Sequence, residues 1–273
     1  MQRPANLPKF DRPPIDEVAV GVYFSLISGF GDLGPVLIWE RLKDEYPQLS
    51  SQPRLELTEP EPNLPLALMP QSPVFQLMAS PPPRTWLTSS DERDVIQIQN
   101  DLLLANWRKR KGSSYPQLEA VVRRWRKAFE TYGDVAEAQG WDRPLPKVVE
   151  LTYINIIDDL EPVDFLRHAA MTHLEHVSDG DAEVQAWTAR YRLRDRASGY
   201  IGRLSVEYQK VLRPNNGGWA APHQLSFVSR MALSGAATEH DIQQRIADCR
   251  QAIVWAFTDL TTPKAHEHWG RVQ

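Results

Sequence analysis

The sequence predicts an α+β protein built as two pseudo-repeats of strand, helix, three-strand meander and long helix, with antiparallel sheets covered by the long helices. Three observations point there. Alternating apolar runs, the pattern of a half-buried strand, open at Val18 and again at Val148. Two long segments, starting at Pro116 and Asp241, carry apolar residues at three- and four-residue steps, the pattern of an amphipathic helix. Between each opening strand and each long helix lie three shorter strand-like runs bounded by turn residues.

The elements of the first half follow in order. From Val18 to Ile27, Val18, Val20, Val22, Phe24 and Leu26 alternate with smaller or more polar residues and predict a strand. Gly29, Gly31 and Gly34 break it, and Pro35 suits the first turn of a helix, where its missing N–H costs nothing. Ile38, Leu42 and Tyr46 then share one helical face, up to Pro47. Residues 47–83 hold 10 of the 22 prolines and predict an extended connection, with a short edge strand near Arg54 to Leu57. Thr85 to Thr88, Val95 to Gln99 and Leu102 to Arg108 form a meander, with Asn100-Asp101 as a two-residue turn. Leu118, Val121, Val122, Trp125, Phe129 and Tyr132 stripe the first long helix, and Gly133 is its expected stop.

The second half repeats the order. Val148 to Ile157 is a strand, and Glu161 to His168 a short helix opening at Pro162. Trp187 to Arg194, Tyr200 to Leu212 and Gln224 to Leu233 form a second meander, with a turn cluster at Asn215 to Gly218. Ile242, Ile246, Cys249, Ile253, Ala256 and Leu260 stripe the last helix. Residues 1–145 and 146–273 are therefore expected to be one β-α-βββ-α unit used twice. Each meander buries one face under its helix, in two layers that can share one continuous sheet. The element order is similar to that of the TATA-binding-protein-like and helix-grip folds, a likeness of architecture that carries no function.

Composition narrows the function classes. The chain has 273 residues, 42% of them hydrophobic, enough for one large core or two small ones. The net charge of −4 argues against a protein that coats nucleic acid generally. No apolar run approaches the roughly 20 residues of a membrane span. The opening MQRPANLPKFDRPP lacks the apolar stretch of a secretory signal. Cys249, the single cysteine, cannot form an internal disulfide, so a reducing cytoplasm is the expected compartment.

Catalytic patterns are weak. Gly29, Gly31 and Gly34 lie between a strand and a helix but lack the lysine and spacing of a phosphate loop, so turn chemistry explains them. His168, His173 and His176 cluster with Glu175, Asp179 and Asp181, residue types that suit zinc, without two ligands at diagnostic spacing on one helix face. His266 and His268 flank Glu267 at what reads as a frayed helix end. Asp158, Asp159, Glu161 and Asp164 are residue types that do paired acid–base work, but capping of the short helix by Asp159 or Glu161, where negative charge is favoured, explains them better. Cys249 lies on an apolar stripe, where a thiol behaves as a small inert hydrophobe.

The most informative feature is charge segregation. Residues 106–127 hold eight bases, from Arg108 to Lys127, against Glu119 alone, a net of +7, with Trp107 and Tyr115 interleaved. Residues 134–183 hold twelve acids and three bases, a net of −9. Arg190, Arg192 and Arg194 share one strand face by their period of two, and Arg203 and Arg230 extend that face across neighbouring strands. Two readings stand side by side. The bases meet an acidic protein or phosphates, or they pair with the acidic region inside the chain or across a dimer.

Several phrases also resemble a known family: PPIDEVAVGVYF at 13–24, WERLKDEYP at 39–47, VIQIQND and NWRK between 95 and 109, YP at 115–116, and ELTYINII at 150–157. Their order and spacing are similar to those of a sporadically distributed family of bacterial and archaeal proteins. The resemblance implies a prokaryotic cytoplasmic protein and supplies no catalytic residues. Patchy distribution further suggests horizontal traffic, as in defence or toxin–antitoxin neighbourhoods.

The expected function is that of a non-enzymatic interaction protein, an accessory or neutralising partner in such a system. It would meet a protein through Trp107, Arg108, Lys109, Arg110, Lys111, Arg190, Arg192 and Arg194, with no catalytic residue, cofactor, metal or membrane involved; a homodimer fits the same picture. The first alternative is nucleic-acid binding by the same basic turn and arginine face. The second is a metal-dependent enzyme using His168, His173 and His176.

Overall fold

The computed structural model describes residues 6–56, 83–167, 185–195, 199–215 and 218–272. The opening strand, β1 (Ile15–Phe24), leads through the glycine turn into α1 (Leu33–Leu42). An edge strand, β2 (Gln48–Gln52), precedes the first meander of β3 (Arg84–Thr88), β4 (Asp94–Gln99) and β5 (Leu102–Arg108). The long helix α2 (Leu118–Ala138) closes this half. The second half runs through β6 (Pro146–Ile157), α3 (Pro162–Phe165), β7 (Ala186–Asp195) and β8 (Gly199–Lys210). A small ribbon of β9 (Arg213–Asn215) and β10 (Gly218–Ala220) then leads to β11 (His223–Ala232). Finally come α4 (Glu239–Leu260) and α5 (Pro263–His268).

Nine strands form one antiparallel sheet in the order β2-β3-β4-β5-β1-β6-β11-β8-β7. The two halves join where β1 pairs with β6, Gly21 facing Glu150 and Val18 facing Tyr153. Both long helices cover the same face, α2 over β5 and β1, α4 over β11 and β6. The stripe of α2 meets Val18, Val20 and Val22 of β1; that of α4 meets Leu225, Phe227 and Met231 of β11. These side chains form one apolar core that spans the halves. At about 25 cal/mol per Å2 of apolar surface, a layer of this kind is the main driving force for folding.

Four expectations are corrected. The edge strand lies at Gln48–Gln52, upstream of the expected Arg54 to Leu57, because Ser50 registers with Trp86 of β3. The helix α2 does not stop at Gly133. Val135 and Ala136 continue its buried stripe, and the left-handed glycine that follows the helix is Gly140, at φ +69. The C-terminus is not frayed. Thr262 caps α5, His266 and Trp269 are buried, and Phe10 bridges to Arg271. Asp159 and Glu161 do not cap α3 with their side chains; Asp159 instead meets His268 at 2.6 Å.

Thr238 and Asp241 form a reciprocal capping box at the start of α4. The Cys249 thiol is fully buried and donates to the Ser229 carbonyl at 3.6 Å, and burial pushes its pKa up to about 12. No helix among the described residues is long and apolar enough to cross a membrane.

Candidate functional site

The opposite face of the sheet carries no described helix. Strand alternation turns to it every second residue: Glu17, Ala19, Gly21 and Tyr23 from β1, while Val18, Val20 and Val22 point into the core. One cross-strand row on this face runs from Trp86 through Gln97 and Leu104 to Gly21 at the centre. It continues through Glu150, Arg230 and Arg203 to Arg192 on the outermost strand. The period of two in β7 and the antiparallel register place three arginines from three strands side by side.

The centre of the row is a closed polar knot. Arg230 Nε donates to Glu150 Oε2 at 2.6 Å, and the Tyr23 hydroxyl donates to the same oxygen at 3.3 Å. The guanidinium lies 5.8 Å from the Tyr23 ring centroid. Burial works against the Arg230 charge, but Glu150 and Tyr23 outweigh it and hold its pKa above the ordinary value. Burial, reinforced by the Glu150 charge, raises the Tyr23 pKa, so this hydroxyl stays a donor.

The first half of the face is also closed. Leu55, at the start of the proline-rich connection, packs on a small cluster of Tyr23, Leu102, Leu104 and Val148. Its backbone exchanges two hydrogen bonds with the Gln99 amide, at 2.7 and 3.1 Å. Arg84 donates to Gln97 at 2.7 Å, Gln97 to Asn106 at 2.7 Å, and Asn106 to Glu17 at 2.5 Å, a polar chain laid across four strands. Arg84 and Arg108 lie 5.4 and 5.1 Å from the Trp86 ring centroid. Burial lowers the pKa of both guanidiniums, with Arg110 adding to the effect at Arg108.

The second half of the face differs. Arg190, Arg192 and Arg194 are exposed on β7 and form no ion pair among the described residues. Their strand is one of the two edges of the sheet among the described strands, where charged side chains also discourage indiscriminate strand pairing.

The basic turn is less available than its sequence implies. Trp107 is only 2% exposed and packs its ring 5.6 Å from Tyr115, so it offers no surface to a macromolecule. Arg108 also donates to the Glu92 carbonyl at 3.3 Å, and Arg110 pairs with Glu92 at 3.7 Å. Lys109 is exposed and borders a cleft beside Tyr115; Lys111 is exposed and forms no ion pair among the described residues. On α2, Arg124 pairs with Asp94, Arg126 with Glu239 and Lys127 with Glu45. These three acids lie outside 134–183, whereas Arg230 of the arginine face pairs with Glu150 inside that region. That region's described ion pairs are Glu137–Arg143, Glu150–Arg230, Asp164–Lys264 and Asp159–His268.

The histidine cluster of His168, His173 and His176, with Glu175, Asp179 and Asp181, lies outside the described residues. Among the described residues no three His, Cys, Asp or Glu side chains gather as a metal-holding group. Sequence reasoning missed Arg84, Trp86, Gln97 and Asn106 as parts of one site. Period two assigns each to the polar face of its strand, but only register makes them neighbours. Comparison with protein-family models, with curated proteins and with solved structures returned no match.

Proposed function

We propose that the protein is a non-enzymatic interaction module that docks an acidic protein partner on the second half of its open sheet face. The observation that supports this is the exposed trio Arg190, Arg192 and Arg194, without an ion pair among the described residues, continued inward by Arg203 and the buttressed Arg230. Exposed guanidiniums in one row match spaced carboxylates on a partner by charge-assisted hydrogen bonds, and desolvation at the interface strengthens them. The edge of β7, with no neighbour beyond it among the described strands, adds backbone groups that an extended acidic segment can pair with. A second copy of the chain docked edge to edge would set arginine against arginine, which opposes a β7–β7 dimer. The accessory or neutralising role in a defence or toxin–antitoxin setting follows from the family resemblance alone.

We also infer that the halves are one unit used twice. Reading outward from the β1–β6 junction, the order is β1, β5, β4, β3 on one side and β6, β11, β8, β7 on the other. Each side carries its long helix on the same face, the arrangement that gave the likeness to TATA-binding-protein-like folds.

Co-purification from the native host, with wild type beside R190E/R192E/R194E, tests the docking face. An acidic protein recovered with wild type and lost with the variant is the expected outcome. Equal recovery removes the assignment. Binding of wild type to DNA or RNA that weakens steeply with salt, and is lost in the variant, reassigns the face to nucleic acid. Against that second reading, the one aromatic ring in the row, Trp86, already has two guanidiniums beside it rather than a ring free for base stacking.

A further inference from the structure

On the helix-covered side, the N-terminal segment, the entry to α2 and the middle of α4 enclose a cavity of about 70 Å3 over β1 and β6. At roughly 10–15 Å3 per water-sized group, it holds about five such groups. Its wall is mostly apolar, with Phe10, Ile15, Phe227, Ile253 and Phe257, and its polar groups gather at Tyr115, Tyr153 and Arg250. The Tyr115 and Tyr153 hydroxyls are 3.0 Å apart. Burial, then the neighbouring Tyr153, raises the Tyr115 pKa well above its ordinary value, so its hydroxyl keeps its proton.

Arg250 is the unusual member. It is 2% exposed, and one terminal nitrogen donates to Glu119 Oε1 at 2.7 Å. Its Nε is buried with no hydrogen-bond partner. Buried guanidinium N–H groups are seldom left unpaired, because they lose water without replacement. A second feature marks the same wall: Gln117 is held at φ +71, a conformation a non-glycine residue adopts only when its surroundings enforce it.

The cavity opens beside a larger cleft of about 460 Å3 that shares Phe10, Pro13, Ile15, Tyr115 and Gln117 with it. Lys109 borders this outer cleft, and so do Asp11, Asp158 and Asp159, with Asp159 against His268. The outer cleft is therefore mixed in charge, while the inner end offers donors. Glu119, the acid paired with Arg250, is already engaged.

We propose that the inner cavity binds a small organic acid, its carboxylate on the Arg250 guanidinium and the Tyr115 hydroxyl and its hydrocarbon body against Ile15, Phe227 and Ile253. A carboxylate meets the guanidinium with a charge-assisted bond. A short apolar body fills the remaining room, and a longer one extends into the outer cleft. The site lies on the face opposite the proposed docking surface and stands or falls independently of it.

Calorimetric titration of the full chain with hexanoate, and separately with 1-hexanol, tests the proposal. Hexanoate is expected to bind saturably with a dissociation constant of about 1 mM or tighter, and hexanol at least about tenfold more weakly. Val254→Phe fills the cavity and keeps the Arg250 guanidinium, and Arg250→Gln removes the guanidinium; each should weaken hexanoate at least about tenfold. Where circular dichroism shows Arg250→Gln to be unfolded, Val254→Phe decides. Absence of saturable hexanoate binding below about 10 mM overturns the site, as does equal affinity for hexanol or unchanged affinity in Val254→Phe.

Discussion

On the β3–β4–β5 side of the open face, Arg84 and Arg108 are half-buried against Trp86 and committed to Gln97 and the Glu92 carbonyl. On the β8–β7 side, Arg190, Arg192 and Arg194 stand in solvent with no ion pair among the described residues. The same residue type therefore serves two ends. An arginine whose guanidinium packs on a ring and donates inward is part of the fold, because its removal leaves partners unpaired. An exposed arginine at a sheet edge contributes little to stability and remains available for a partner. The boundary between these regimes is Arg230, which is bound to buried Glu150 yet stands in line with the exposed row.

The contrast is most sharply tested at that boundary. Arg230→Ala leaves the Glu150 carboxylate buried without its cation and should cost about 3 kcal/mol in urea unfolding. The triple change R190A/R192A/R194A should stay within about 0.5 kcal/mol of wild type in the same assay. Comparable losses from the two variants would erase the distinction between structural and available arginines.

The next effect concerns how closely the strands approach within each half. A Cβ at Gly21 would sit 2.2 Å from the Leu103 carbonyl oxygen, and one at Gly202 would sit 2.2 Å from that of Arg230. Backbone atoms cannot yield as a flexible side chain does, so Gly21→Ala and Gly202→Ala should each destabilise by about 2 kcal/mol, read by thermal unfolding. A large loss at one glycine and none at the other would show that the halves are not built with matching tightness.

The smallest effect isolates the closed polar chain. Burial raises the Glu17 pKa above 4.5, against the hydrogen bond from Asn106 and the charge of Arg108. Below the unfolded value, both folded and unfolded chains carry the proton, and the group has no influence on stability. As pH rises through that value, the unfolded chain ionises first and folding is penalised, fully so above the folded pKa. Glu17→Gln removes the penalty and keeps an acceptor for Asn106. Its melting temperature should match wild type near pH 4 and exceed it by about 2 °C at pH 7. A gain at pH 4 that vanishes at pH 7 would reverse the sign and refute the burial argument.

Legibility in the sequence followed the range of the interactions. The alternation of Val18, Val20 and Val22, and the stripe from Leu118 to Tyr132, were readable because each pattern reports a local period and one buried face. Gly133 misled because helix propensity is weak beside burial: Val135 and Ala136 keep the stripe in the core, and Gly140 supplies the actual stop. The C-terminal histidines misled for a related reason. His266 is ordered by Thr261 at 2.7 Å and by the Phe10 ring, contacts contributed by tertiary packing rather than local pattern. The arginine face of β7 was readable because period two is local, whereas the burial of Trp107 was not, since its side chain shares the charged turn but points into the core.

By itself, the sequence determined the main strands and the two long helices, their order and the face the central strands turn to the helices, because backbone geometry ties these to spacings of two and about 3.6 residues. The pairing of β1 with β6, which merges both halves into one sheet, was decided only in three dimensions. So were the alignment of Arg192, Arg203 and Arg230 into one row and the enclosure of Arg250 between helices. Register and burial depend on contacts between residues far apart in the chain, and a local pattern cannot specify which distant residue becomes a neighbour.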